Sequence, residues 1–309
     1  MSALICGSFA YDTIMVFPDQ FKNHILPDKV HILNVSFLVP EMRREFGGCA
    51  GNIAFNLKLL GEEPLPMATV GNDFAPYAEW MDKFAVNRKY LKEVDSYTGQ
   101  AFITTDQDDN QITAFHPGAM GFSHENSVLK TEGVKVGIVA PDGRDGMIQH
   151  AKDFAEAGIP FIFDPGQGLP MFDGDDLMAF AEQATWIALN DYEAQLFSER
   201  TGKSAEELSE MVEAVIITRG AKGSQIYSKG KTYDIPVAKV SELKDPTGCG
   251  DAFRAGLLYG ILNKLDWNTT GQIASLMGAI KIESNGTQNH AFTMQEFKQR
   301  YKENFGSSF

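Results

Sequence analysis

From residue 134 onward the chain keeps one rhythm, a short apolar run followed by a helical stretch. The runs 134–139, 160–163, 186–189 and 215–218 are mostly apolar and read as buried strands. Helical patterns separate them, as at 146–157 and 191–200. Strands apolar on both faces, alternating with helices, require a parallel sheet covered on both sides. A short apolar strand is also expected at 3–6, ending in Gly7-Ser8.

The residues before 134 break that rhythm. Extended segments are expected around 11–17 and 30–38. A hairpin is expected from 100–105 and 111–115, joined by the polar run Asp106-Gln107-Asp108-Asp109-Asn110. These strands do not alternate with helices, so a small separate sheet is expected for them. No repeat, low-complexity tract or linker divides the 309 residues. The expected architecture is a doubly wound, mostly parallel α/β sheet in one domain, 1–309, with a β lid from inserted strands around 11–40 and 98–118.

Charge narrows the partners. With 27 Lys+Arg against 41 Asp+Glu the net charge is −14, which argues against nucleic acid or an anionic membrane surface. An anionic ligand would have to be held by local devices such as backbone amides, a helix N-terminus or a metal ion. Cys6, Cys49 and Cys249 include no CxxC, so neither a disulfide framework nor a zinc site is expected. The first residues lack a basic n-region and no apolar run is long enough to span a bilayer. The expectation is a cytoplasmic protein.

The strongest chemical signal is Asp245-Pro246-Thr247-Gly248-Cys249-Gly250-Asp251, opening a helix over 251–262 with Phe253, Leu257, Leu258 and Ile261 on its apolar positions. Glycines at a helix start admit a close ligand, and the first-turn amides have no internal partner, which makes an anion cradle. Asp251 beside such a cradle either takes a hydroxyl proton during phosphoryl transfer or merely offsets the helix dipole. A P-loop is absent. Gly202-Lys203-Ser204 and Gly230-Lys231-Thr232 end the pattern, but its earlier glycine is replaced by Phe197 and Gln225. A second glycine loop, Gly47-Gly48-Cys49-Ala50-Gly51-Asn52, opens a helix with Ile53, Phe55, Leu57 and Leu60 on apolar positions.

These two loops resemble the two signatures of the ribokinase-like (PfkB) kinases. Four further segments follow the family order: Gly7-Ser8 with Asp12, Asn190–Glu193, Thr218–Gly223 and Asn285–Gln288. Segments 35–39, 112–120 and 164–167 look like the bacterial adenosine-kinase branch. Pro246 and Cys249 depart from the spelling of many sugar kinases.

The resemblance implies a kinase that uses ATP and Mg²⁺, with a monovalent cation as a family trait. It implies Asp251 as base, with Gly248, Cys249 and Gly250 as the anion hole. Asp12, Gly48 and Asn52 would hold the ribose, Phe102 and Phe115 would cover a purine ring, and Ser36 and Gln167 would meet its polar edge. Asn190, Thr218, Gly220, Gly223, Asn285 and Asn289 would border ATP, and Glu193 would organise the metal through water. The expected activity is transfer of the γ-phosphoryl of ATP to the 5′-hydroxyl of adenosine. Alternatives are a broader nucleoside kinase (inosine, guanosine, cytidine), a ribose-type sugar kinase, or a nucleoside-binding protein without turnover.

His116 and His290 read as structural. Cys49 and Cys249 fall in the glycine loops; either Cys249, at the helix N-terminus, has a lowered thiol pKa, or both are small buried residues with no chemistry. An exposed lid edge suggests a homodimer.

Overall fold

A computed structural model describes residues 2–25, 34–108 and 110–309. Among them the strands are β1 (Ser2–Cys6), β2 (Ala10–Val16), β3 (Glu41–Gly47), β4 (Glu63–Val70), β5 (Tyr90–Glu93), β6 (Gly99–Thr105), β7 (Gln111–His116), β8 (Val136–Val139), β9 (Phe161–Phe163), β10 (Trp186–Asn190), β11 (Ala214–Thr218), β12 (Ser224–Ser228) and β13 (Lys231–Ile235). The α-helices are α1 (Cys49–Leu59), α2 (Ala75–Lys83), α3 (Arg144–Ala157), α4 (Gly174–Gln183), α5 (Asp191–Thr201), α6 (Ala205–Leu208), α7 (Cys249–Leu262), α8 (Trp267–Ile282) and α9 (Met294–Phe305).

Nine strands form one sheet in the order β13-β12-β11-β10-β9-β8-β1-β4-β5. Pairing is parallel from β11 to β5, and β12 and β13 add an antiparallel margin. Strand alternation sends Ala3 and Ile5 to one core and Leu4 and Cys6 to the other. The first core packs against α1 and α7, the second against α3 and α4. Both faces are therefore covered, as the unbroken apolar strands require. Chain order reverses where β1 lies between β8 and β4. Loops leaving the carboxyl ends of parallel strands at such a point are where this architecture binds ligands. Among the described residues no helix is long and apolar enough to cross a membrane.

The smaller sheet runs β3-β2-β6-β7, with β2 and β6 parallel and the other pairs antiparallel. It corrects one expectation. Of the segment expected around 30–38, residues 30–33 lie outside the described residues, and 34–38 form no strand. The partner of β2 is β3, spelled Glu-Met-Arg-Arg-Glu-Phe-Gly, whose first residues are exposed. A strand open to solvent on its faces needs no apolar alternation, and its charges hide it from a hydrophobicity reading.

Asp73, in the loop after β4, ties this sheet to the larger one. Its Oδ1 accepts the Thr98 N–H (2.8 Å), its Oδ2 accepts from Gln100 Nε2 (2.9 Å), and its backbone oxygen accepts the Tyr11 hydroxyl (3.0 Å). Arg44 of β3 lies over the Tyr11 ring, 3.6 Å from its centroid, and 3.6 Å from Asp73 Oδ2.

Candidate active site

The α7 loop is shaped as its glycines suggest. Gly248 is the N-cap at φ +79°, a conformation that favours glycine, and a Cβ there would meet the Thr287 side chain at 3.0 Å. A Cβ on Gly250 would meet nothing within 4 Å, so this side of the loop is open. Of the expected anion hole, the Cys249 N–H donates to Pro246 O (3.2 Å), while among the described residues no protein group accepts from the amides of Gly248 and Gly250, nor from that of Asp251. The loop is braced from behind. Lys281, fully buried, donates from Nζ to the backbone oxygens of Asp245 (2.7 Å) and Ser284 (3.1 Å). The Asp245 carboxylate accepts the N–H groups of Thr247 and Gly286, both at 2.9 Å. Sequence reading passed over Lys281 because a lysine in a helix ordinarily faces water.

Asp251 meets Asn52 across the cleft, with Asn52 Nδ2 donating to Asp251 Oδ2 at 2.7 Å. Gly48 makes this approach possible. It is the α1 N-cap at φ +87°, and a Cβ there would sit 2.6 Å from Ser8 O and Ala10 N. The Cys49 N–H donates to Ser8 Oγ (3.2 Å), which joins the β1 exit to the start of α1. Asp12 lies beside the same loop. A side chain on Gly47 would begin 2.5 Å from its Oδ2. Burial, with Glu45 and Asp245 nearby, raises the Asp12 carboxyl to about 6. Desolvation raises Asp251 to about 7, with Asp164 adding to it, while the Asn52 hydrogen bond and Arg254 pull the other way.

A buried ion pair stands next to this group. Asp164, just beyond β9, takes two hydrogen bonds from Arg254 of α7, Nε to Oδ2 at 3.1 Å and Nη2 to Oδ1 at 3.0 Å. Glu193 interacts electrostatically with both residues and is itself raised, chiefly by burial. Its Oε2 accepts the Asn190 N–H (2.8 Å) and its Oε1 accepts from Asn190 Nδ2 (2.7 Å), completing a capping box on α5. Arg254 balances Asp164, so Glu193 brings the unbalanced charge. One carboxylate with spare lone pairs fits magnesium held mainly by water and phosphate oxygens. Among the described residues no cluster of three His, Cys, Asp or Glu forms a protein cage for a metal.

The other expected residues are more dispersed. Thr218 ends β11, and Gly220 and Gly223 have φ of +53° and +81° in the turn that follows. Asn289 donates to Glu45 Oε2 (2.9 Å) and to Asn285 O (3.0 Å), which joins the 285–289 segment to β3. Ser36 and Gln167 are exposed, Gln167 in a 3₁₀ turn. Phe102 and Phe115 do not share a face. Phe115 pairs with Ala101 and so lies on Asp12's side of the sheet, whereas Phe102 pairs with Ala114 and Thr13 on the other side. The two rings cannot together cover one base from a single face.

The thiol expectation fails. Burial pushes Cys249 up to about 11, and Cys49 is raised still by burial and by Asp251 and Asp164. Desolvation outweighs the helix N-terminus at Cys249. His290 is structural as expected, its Nε2 2.7 Å from Asn56 Oδ1, and His116 is exposed.

The sequence matches the pfkB family of carbohydrate kinases over residues 11–293. The chain belongs to the PfkB family. Membership makes it a phosphotransferase with an alcohol acceptor. Its nine-stranded sheet with flanking helices and smaller second sheet is the ribokinase-like fold. The nucleoside kinase of Methanocaldococcus jannaschii is 31% identical over 271 residues, 86% of this chain and 89% of that protein. The nucleoside kinase of Burkholderia thailandensis in complex with inosine is 52% identical, with 99% of each chain covered and a TM-score of 0.90. A ribokinase of Thermotoga maritima, 21% identical with a TM-score of 0.78 and 97% and 99% coverage, shares the fold.

Proposed function

We propose that this PfkB-family protein is an ATP-dependent nucleoside kinase that accepts inosine, and so is broader than an adenosine-specific enzyme. The observation that carries the chemistry is Asp251, held 2.7 Å from Asn52 at the open amino end of α7. The nucleoside class is supported by the structure of the Burkholderia relative in complex with inosine and by that of its complex with ADP-inosine, the latter 54% identical to this chain. Use of ATP is supported by that ADP complex.

The ribose diol offers two O–H donors that the Asp12 carboxylate can accept, with Asn52 and the Gly48 backbone beside it. That grip directs the 5′-hydroxyl toward Asp251. Asp251 takes the hydroxyl proton as the 5′-oxygen bonds to the γ-phosphorus, and the bond from that phosphorus to the β–γ bridging oxygen breaks to release ADP. The amides of Gly250 and Asp251 offset the charge on the transferring group. Glu193 would orient, through water, a magnesium ion bound with the nucleotide, and that ion would supply positive charge at the phosphate oxygens. Asn190, Thr218, Gly220, Gly223, Asn285 and Asn289 border the nucleotide. The smaller sheet acts as the lid that keeps water from competing as acceptor, with Phe115 on its inner face. A reducing cytoplasm suits ATP use and the free thiols of Cys6, Cys49 and Cys249.

The test is ADP release with Mg·ATP and inosine, guanosine, adenosine, cytidine or ribose at equal concentration. Inosine should be turned over with kcat/KM at least equal to that for adenosine. Adenosine preferred by about tenfold or more, roughly 1.4 kcal/mol, would restore the narrower reading, and turnover of ribose alone would discard the nucleoside reading.

A further inference from the structure

Behind Asp251 runs a chain of buried and half-buried hydrogen bonds whose donor directions follow from that of one residue. It begins at Trp80 on α2, whose indole Nε1–H donates to Gln288 Oε1 at 2.9 Å. Indole is a donor only, so the oxygen of the Gln288 amide must face it. The Gln288 Nε2 then points the other way and donates to Tyr77 Oη (2.6 Å) and to Asn52 Oδ1 (2.9 Å). Tyr77 can accept because its own O–H is used on Gly47 O, at 2.9 Å. With its oxygen so engaged, Asn52 has only its Nδ2 to present to Asp251. Gln288 and Asn52 are each 4% exposed, so neither amide can turn to water for an alternative partner.

We propose that Gln288 is a positioning residue for phosphoryl transfer, reading the fixed donor of Trp80 and forcing Asn52 to donate to Asp251. Were the Asn52 amide reversed, its oxygen would face the Asp251 carboxylate, and the base would be repelled where it is now held. The donated bond favours the ionised carboxylate that can accept a proton. It also fixes Asp251 toward the cleft. A glutamine is suited to the task because its amide accepts at one end and donates at the other. The same segment carries Thr287, whose hydroxyl donates to Phe46 O of β3 at 2.5 Å. Gln288 therefore sits where the nucleotide side, the sugar side and the smaller sheet are joined.

This inference rests on Asp251 acting as base in the reading above, and its test does not need a substrate. The Asp251 carboxyl is titrated by ¹³C NMR in the ligand-free full chain. The groups around it are Asp164 beyond β9, Arg254 on α7, the Cys49 and Cys249 thiols and Tyr77 on α2. None of them changes in the variant Gln288→Met, which keeps the length of the side chain and removes both polar ends. The Asp251 pKa should rise by about half a unit or more. In an Asn52→Ala background the same substitution should add no further shift, because the effect travels through Asn52. Trp80→Phe keeps a ring against Phe46 and removes only the donor, and it should shift Asp251 in the same direction.

No shift in a folded Gln288→Met or Trp80→Phe protein would overturn the proposal. So would an undiminished shift without Asn52. Failure of the nucleoside reading would show separately, as a wild-type protein that titrates as described and turns over no nucleoside.

Discussion

Arg254 lies three residues beyond Asp251 on α7 and grips Asp164 through the Nε–Nη2 edge of its guanidinium, at 3.1 and 3.0 Å, with each side chain only 6% exposed. The pair pins the start of α7 to the end of β9, which fixes the direction in which Asp251 projects. Such a pair is worth less as a source of stability than as a fixed geometry, but it cannot be halved cheaply.

Arg254→Met should therefore lower stability by about 3–5 kcal/mol, because Asp164 is left buried without a counter-charge. Urea unfolding measures this directly. Replacing both partners, Asp164→Leu with Arg254→Met, should recover much of the loss. A single variant as stable as wild type would mean that the pair contributes no constraint.

Asp251→Asn should reduce kcat by about 100-fold or more while nucleoside affinity changes little. The amide keeps the size of the side chain but cannot take the proton. Near-normal turnover would remove Asp251 from the chemistry.

The pH dependence of the ligand-free protein follows from the raised carboxyls. Asp251 titrates at about 7 and Asp12 at about 6, against 3.8 for an ordinary aspartate. Between these values the folded protein holds protons that the unfolded chain has released. The resulting stability is complete below about pH 4 and is lost as pH rises toward 7. Melting temperatures from pH 4.5 to 7.5 should fall further for wild type than for Asp251→Asn. Parallel curves would contradict the raised value. In kcat/KM the same group should give a rising limb near pH 7, as the base ionises.

Thiol chemistry should be slow. With Cys249 at about 11 and Cys49 raised as well, little thiolate is present at neutral pH. Iodoacetamide at pH 7.5 should label both more slowly than free cysteine, read by mass spectrometry of the native protein. Rapid, selective labelling of Cys249 would restore the activated thiol that its helix-start position suggests.

Much of the larger sheet was legible because buried parallel strands are written as apolar runs. β8, β9, β10 and β11 fall where those runs predict. β4 was not legible, since Pro64 and Pro66 argue against a strand within a sheet. They are tolerated because β5 pairs with β4 only from Met67 onward, leaving the proline half of β4 with β1 alone as neighbour. β3 was hidden by its charges.

In the candidate site, Asp251 was readable because its glycine loop has a local spelling, while Asn52 and Asp12 entered through the family resemblance of their segments. Arg254, Lys281 and Gln288 have none. Arg254 looks like any polar residue in a helix until the fold sets Asp164, 90 positions earlier, against it. Phe102 and Phe115 were grouped wrongly for a related reason. Which side of a hairpin a residue takes depends on register, and register is set by the pairing and not by either strand alone.

Asn52 holds hands with residues 199 and 236 positions further along the chain. During synthesis, the helix that carries it is complete long before either partner has been made. The polar tip of α1 must wait, provided for only by water, while most of the protein is assembled around it. A product cut short before Gln288 would keep all nine strands of the larger sheet and still lack the contact that tells Asn52 which way to face.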